Sequence, residues 1–260
     1  MDPDSHHWFF NKFGHGELPI INYTGGTEVS GALLSNVVLR PIVASRFNST
    51  APGVNVEILD SEGHSVVGAA GELAITRPFV GKTQGFWNDS ARYLETYWSR
   101  FPGKWVHGDL ALQEPDGQFL LIGRSDDVMK IAGRRVGPSE IEGMVIDSEW
   151  VADAIAFGTP DSRSGEVLVL LVLPQNPAVG PRIEEQVAAR LKSRMGPGFK
   201  PHAVVVVRRL AKTRNGKPLR RLARDAWLGK PPGDLSSLED HTIFADMTLD
   251  CQTYRSAKRP

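Results

Sequence analysis

Gly123-Arg124-Ser125-Asp126-Asp127-Val128-Met129-Lys130-Ile131-Ala132-Gly133-Arg134-Arg135-Val136-Gly137-Pro138-Ser139-Glu140-Ile141-Glu142 separates two kinds of sequence. Before it, apolar residues alternate with polar ones at period two. Val54, Val56 and Ile58 are interleaved with Asn55 and Glu57, and the run stops at the turn-forming Asp60-Ser61-Glu62-Gly63. Residues 71–75, 105–112 and 119–122 read as further strands, the last two joined by Glu114-Pro115-Asp116-Gly117. Such alternation gives a sheet one apolar face, so the pattern predicts hairpins in a small antiparallel barrel or sheet.

After the stretch, helical spacing takes over. Ser139 and Glu142 have the spacing of a capping box, and Ile141, Met144 and Val145 continue as one face of a helix that ends before Trp150. Strands are predicted at 152–157 and in the apolar run 167–173. Pro181 opens a second helix with Ile183, Val187 and Leu191 on one face, and Gly196-Pro197-Gly198 stops it before a strand at 202–207. Strands alternating with helices predict a compact α+β domain, with the boundary near 125–127. From Lys230, Lys-Pro-Pro-Gly-Asp breaks the preceding helix, and the remainder shows no sustained period. The expected organisation is 1–125, 126–229 and an extension, 230–260.

Composition narrows the function classes. The chain has 260 residues, 41% of them hydrophobic, which suffices for a real core. Thirty Lys+Arg balance thirty Asp+Glu, so no whole-chain electrostatic footprint for nucleic acid exists. The longest aliphatic run, 167–173, is far short of the roughly 20 residues that cross a bilayer, so no membrane span is expected. The acidic N-terminus lacks a signal-peptide pattern, and one cysteine, Cys251, makes the cytoplasm the default compartment.

Four stretches carry residue types suited to phosphate chemistry. In Ile20-Ile21-Asn22-Tyr23-Thr24-Gly25-Gly26-Thr27-Glu28, glycines admit close approach to the backbone, Thr27 offers a hydroxyl, and Glu28 offers oxygen to a hard cation. An ordinary turn after a strand accounts for the same residues. Trp105-Val106-His107-Gly108-Asp109 places an aspartate at a strand end, suited to a ribose diol or to a plain turn. The opening stretch supplies cations and acids around a short apolar core, which solvated hairpin charges also explain. In Leu210-Ala211-Lys212-Thr213-Arg214-Asn215-Gly216-Lys217, Asn-Gly predicts a tight turn with Lys217 at its tip, reaching a phosphate or carboxylate. An exposed turn lysine is the alternative. A basic nucleic-acid patch at 208–221 is a further one, but no aromatic residue is interleaved there for base stacking.

In this order the four stretches resemble the later signature motifs of the adenylate-forming acyl-CoA synthetase superfamily, particularly its acetyl-CoA and acetoacetyl-CoA synthetase-like members. The resemblance covers residues 20–222, and Pro232 to Glu239 looks like the ending of such synthetases. It implies a mixed α/β chain, a partial large AMP-binding domain with the antiparallel segment, followed by a small mobile α+β domain. The implied reaction joins a short carboxylic acid such as acetate or acetoacetate to ATP, then to coenzyme A. By similarity, Tyr23, Gly25, Gly26, Thr27, Asp109, Arg124 and Arg135 bind ATP or AMP, and Glu28 holds Mg²⁺. Asp126 is the hinge, Gly133 lies on the CoA path, and Lys217 bridges carboxylate and α-phosphate. The family often has an adenine-stacking aromatic four residues before the glutamate; here Thr24 stands there and Tyr23 one place earlier.

The family's Ser/Thr/Gly-rich phosphate loop is missing, as is most of the acyl pocket. The expectation is therefore the C-terminal portion of a synthetase, working with an N-terminal half on another chain. The competing expectation is a non-catalytic remnant acting as an interaction module, with Ile20, Ile21 and the strands after Val54 exposed.

Overall fold

Period-two alternation in the first half and helical spacing in the second give two different constructions. The computed structural model describes residues 3–146, 148–176 and 180–258. The chain divides into two compact units between Asp126 and Asp127.

The first unit begins with α1 (Pro3–Lys12) and continues into β1 (Tyr23–Gly26), a 3-10 turn (Thr27–Val29), β2 (Gly31–Ser35) and β3 (Ser49–Thr50), which form an antiparallel sheet in that order. Next come β4 (Val56–Leu59), β5 (Ala70–Ile75), α2 (Ser90–Trp98), β6 (Trp105–Gln113) and β7 (Phe119–Arg124). These four strands make a second antiparallel sheet, each strand beside its sequence neighbour. Phe47 and Phe119 exchange backbone hydrogen bonds of 2.9 and 2.8 Å, so the sheets meet at one bridge. Asp60 makes the predicted turn by accepting N–H bonds from Glu62 and His64 at Oδ1. Leu33, Ile58, Leu73, Ile75 and Trp105 fill the core.

That burial corrects the expectation that the strands after Val54 are exposed: Ile58, Leu59 and Leu73 are 0% exposed. The apolar surface lies elsewhere. Trp8, Phe13, Leu18, Ile21 and Leu39 are exposed, with Trp8, Phe9 and Phe13 packed ring to ring on one flank of α1.

The second unit holds β8 (Met129–Ile131), β9 (Arg134–Val136), α3 (Pro138–Ile146), β10 (Val151–Asp161), β11 (Gly165–Pro174), α4 (Gly180–Met195), β12 (Ala203–Val206), α5 (Arg220–Leu228) and α6 (Thr242–Ala257). β10 and β11 form a long antiparallel hairpin, and β12 lies parallel to β11. Both faces of this sheet are covered, which explains the unbroken apolar run. Ile155, Phe157, Val169 and Leu171 point toward α5 and α6. Ala154, Ala156, Leu168 and Leu170 point toward α3 and α4, where Ile183, Val187 and Leu191 meet them.

Two expectations are corrected here. Ser139 and Glu142 form no capping box: α3 starts at Pro138, already one residue before Ser139, and Glu142 is turned inward to accept from the Ala156 N–H at 2.9 Å and from Arg220. Beyond Lys230, where the sequence shows no sustained period, the structure has the sixteen-residue α6. Its Ile243, Phe244, Met247 and Cys251 are buried against β11, β12 and α5 residues.

Candidate active site

The first unit gathers Glu28, Asp109 and Arg124 into one polar line. Gly25 and Gly26 end β1 across from Ala32 and Gly31. A methyl group on Gly25 would lie 1.9 Å from the Gly31 carbonyl oxygen, and one on Gly26 would lie 2.5 Å from the Glu28 carboxylate. Close packing against backbone therefore demands a glycine at 25, whereas at 26 a side chain would displace the Glu28 carboxylate. The 3-10 turn that follows leaves Thr27 exposed, while the Glu28 carbonyl accepts the Thr83 N–H at 2.8 Å. Tyr23 is 68% exposed.

The Glu28 carboxylate lies 2.9 Å from Nε2 of His107, and Nδ1 of that ring is 2.6 Å from the Asp109 carboxylate. His107 and Asp109 flank Gly108 on β6, where the left-handed glycine interrupts the regular alternation and the two side chains meet. Both are buried. Arg124 is the β7 partner of Asp109. Its Nη1 donates to the His107 carbonyl at 3.0 Å and lies 3.5 Å from Asp109, while its Nε is 3.6 Å from Asp126. Gly108, at φ 84°, must lack a side chain because a Cβ would meet the guanidinium at 2.5 Å. Ser125 completes the lock, donating its N–H to Gly108 O and its hydroxyl to buried Glu72, which also pairs with Arg100.

His107 is the residue that sequence reasoning missed; its signal was its place two residues before Asp109. With Nδ1–H donated to Asp109, the ring is fixed in orientation and Nε2 is aimed at Glu28. That contact lacks hydrogen-bond alignment, and Nε2 is left a buried atom without a hydrogen-bond partner among the described residues. Trp105 lies beside His107 and stacks at 4.5 Å on Tyr97, forming an aromatic wall. Burial, then the Glu28 charge, pushes the Tyr97 hydroxyl above its ordinary value.

The donor set decides what cation fits. Among the described residues no cluster of three or more His, Cys, Asp or Glu side chains could hold a metal. A single part-exposed carboxylate, Glu28, beside the Thr27 hydroxyl suits Mg²⁺ arriving with phosphate oxygens and water, rather than a resident metal.

In the second unit, Gly133 (φ 77°) follows Ala132 (φ 50°), two left-handed residues turning β8 into β9. Ala132 abuts Gly198, and Arg134 lies over the Phe199 ring at 5.2 Å; Arg135 is exposed. Lys217 is exposed on another loop. The tight turn there runs from Thr213 to Gly216, closed by Gly216 N–H to Thr213 O at 2.8 Å, so Arg214 and Asn215 form the tip. Lys217 sits on the returning leg, a correction to its expected place, because its N–H donates to Thr213 Oγ1 and its carbonyl accepts from Thr213 N–H. Of the seven Lys and Arg residues between 208 and 221, four are tied to carboxylates: Arg208 and Arg209 to α6, Lys212 to Asp153, and Arg220 to Glu142. No ion pair among the described residues holds Lys217.

Residues 140–217 match the family of the AMP-binding enzyme C-terminal domain. The acetyl-coenzyme A synthetase of Pyrobaculum aerophilum is 34% identical over 247 residues, covering 93% of this chain and 37% of that protein. That of Methanothrix thermoacetophila is 33% identical over 255 residues, covering 96% and 39%. The chain matches the C-terminal part of these acetyl-coenzyme A synthetases. In fold it is similar to the acetoacetyl-CoA synthetase from Streptomyces lividans, with TM-score 0.81 and 22% identity over 99% of this chain and 40% of the other. The chain thus spans less than two fifths of the length of these curated synthetases. Among the described residues no helix is long and apolar enough to cross a membrane.

Proposed function

We propose that this chain is the catalytic C-terminal part of a cytoplasmic ATP-dependent synthetase that converts a short acid such as acetate or acetoacetate to its CoA thioester, working with an N-terminal portion that supplies the phosphate loop and the acyl pocket. The observation that carries the reading is the line Glu28–His107–Asp109–Arg124, which joins a candidate cation ligand to a candidate ribose ligand through the buried pair His107–Asp109.

In the first step the acid's carboxylate oxygen attacks the α-phosphorus of ATP, an O–P bond forms, and pyrophosphate leaves. Two anions must approach, so positive charge at the phosphate is required. Bound Mg²⁺ would supply part of it. Glu28 holds that cation, Thr27 donates its hydroxyl to phosphate, Asp109 accepts from the ribose hydroxyls, and Tyr23 offers a ring to adenine. Arg124 orients Asp109, and Arg135 meets phosphate. Lys217, whose ammonium no carboxylate among the described residues claims, bridges the attacking carboxylate and the α-phosphate. In the second step the CoA thiol attacks the acyl carbon and AMP leaves. Residues 126–229 serve as the mobile domain, and turning at Asp126 withdraws Lys217 and brings Gly133 beside the pantetheine arm.

Isotope exchange between pyrophosphate and ATP tests this, with the chain combined with the remaining portion of a relative. Acetate-dependent exchange that appears with the pair and disappears in Lys217→Ala supports the proposal; a pair that is inactive, or equally active without Lys217, overturns it.

A second reading is favoured by the exposed aromatic flank of α1. There the chain is a non-catalytic module whose apolar surface associates with another protein. Light scattering that shows a clean monomer, unaffected by Trp8→Ser with Phe13→Ser, argues against it.

A further inference from the structure

Both legs of the loop bearing Lys217 are tied by a cation to a carboxylate. Before the turn, Lys212 pairs with Asp153 of β10. After it stands Arg220, three residues beyond Lys217 and the first residue of α5. Glu142 grips Arg220 side-on, with Nε to Oε1 at 3.0 Å and Nη2 to Oε2 at 2.6 Å. The same guanidinium reaches Ser139 Oγ at 3.2 Å and lies 3.6 Å from the carboxylate of Asp127. Arg220 and Glu142 side chains are 11% and 8% exposed. Glu142 also accepts the Ala156 N–H of β10.

One planar fork therefore connects the start of α5, helix α3, strand β10 and the first residue of the second unit. We infer that Arg220 is a positioning residue for Lys217. It fixes the returning leg of the loop to Asp127, the residue after the candidate hinge Asp126, so that turning at the hinge carries the Lys217 ammonium without slack. The inference rests on the reading of Lys217 as the adenylation lysine and goes beyond it, since the matched family segment ends at residue 217. A lysine at 220 keeps the charge but cannot grip two carboxylate oxygens in one plane, so it is not a substitute.

Hydrogen exchange of the full 260-residue chain tests the inference. In Arg220→Gln and Arg220→Lys, the amides of Thr213, Gly216 and Lys217 are expected to exchange roughly tenfold faster, while Ile155 and Leu171 in the β10–β11 hairpin keep their protection. Glu142→Gln added to Arg220→Gln should add little at the loop, because the two share one interaction. Unchanged loop exchange in a folded variant overturns the inference. So does a uniform rise across the second unit, which makes the pair a general fold-holding contact. Should Arg220→Gln fail to fold, Arg220→Lys decides by the same criteria. Exchange reads loop geometry without substrate, so its outcome is independent of pyrophosphate exchange.

Discussion

Neighbouring glycines in this chain answer to different neighbours. A Cβ on Gly25 would strike the backbone carbonyl of Gly31, which cannot move without opening the β1–β2 pair. Gly25→Ala should therefore destabilise the first unit by about 1–3 kcal/mol in denaturant unfolding. At Gly26 the obstacle is the mobile end of Glu28, so Gly26→Ala should leave stability within about 0.5 kcal/mol while displacing the carboxylate. A loss of stability at 26 as large as at 25 would contradict this picture. His107 gives a second prediction at this scale. His107→Leu removes the link between Glu28 and Asp109, and in the reconstituted enzyme the KM for ATP should rise about 10–100-fold with the KM for the acid little changed. An equal change in both constants would count against the link. The sequence made Glu28, Asp109 and Arg124 legible because each stands in a recognisable run. His107 reads locally as a buried strand residue, and only the fold brings Glu28 to its second ring nitrogen.

Helix α6 shows how an element escapes sequence reading. Ile243, Phe244, Met247 and Cys251 follow i, i+1, i+4, i+8, yet Asp246, Asp250 and three threonines dilute the face. What docks the helix is partly long-range: Arg208 pairs with Asp246 and Asp250, and Arg209 with Asp240 and Asp246. The same burial makes the protein's one thiol a reporter, since it pushes Cys251 up to about 12. Thiol reagents should leave Cys251 unlabelled in the native protein, and Met247→Ala, costing about 2–5 kcal/mol, should expose it to labelling. Rapid labelling of the native chain would show that α6 is undocked. Acid tests the ionic part. The Arg209 side chain, then Thr242, holds the Asp240 carboxyl well below its ordinary 3.8, so this contact is present above that value and is lost as pH falls below it. Hydrogen exchange at the α6 amides, corrected for its intrinsic pH dependence, should lose protection as pH is lowered below 3.8; unchanged protection would assign the docking to apolar contacts alone. By contrast, α4 was legible throughout, because Ile183, Val187 and Leu191 mark a face that polar residues do not interrupt. The β10–β11 hairpin was legible as two strands but not as a pair, since a strand buried on both faces carries no alternation to set its register.

At the scale of the molecule, the division at residues 126 and 127 falls inside the stretch where period two gives way to helical spacing, so the change of pattern in the sequence marks the change of unit. Each unit carries part of the proposed chemistry: the first an array of polar and ionisable side chains, the second an ammonium on a braced loop that no ion pair among the described residues holds. The central claim is that Lys217 serves adenylation and not thioester formation, and it separates the two half-reactions. The most direct measurement gives the reconstituted enzyme and its Lys217→Ala variant either acetate with ATP, or preformed acetyl-adenylate with CoA, and follows acetyl-CoA. The account predicts that the variant makes almost none from acetate and ATP yet keeps most of the rate from acetyl-adenylate. Equal loss in both reactions, or in neither, would contradict it.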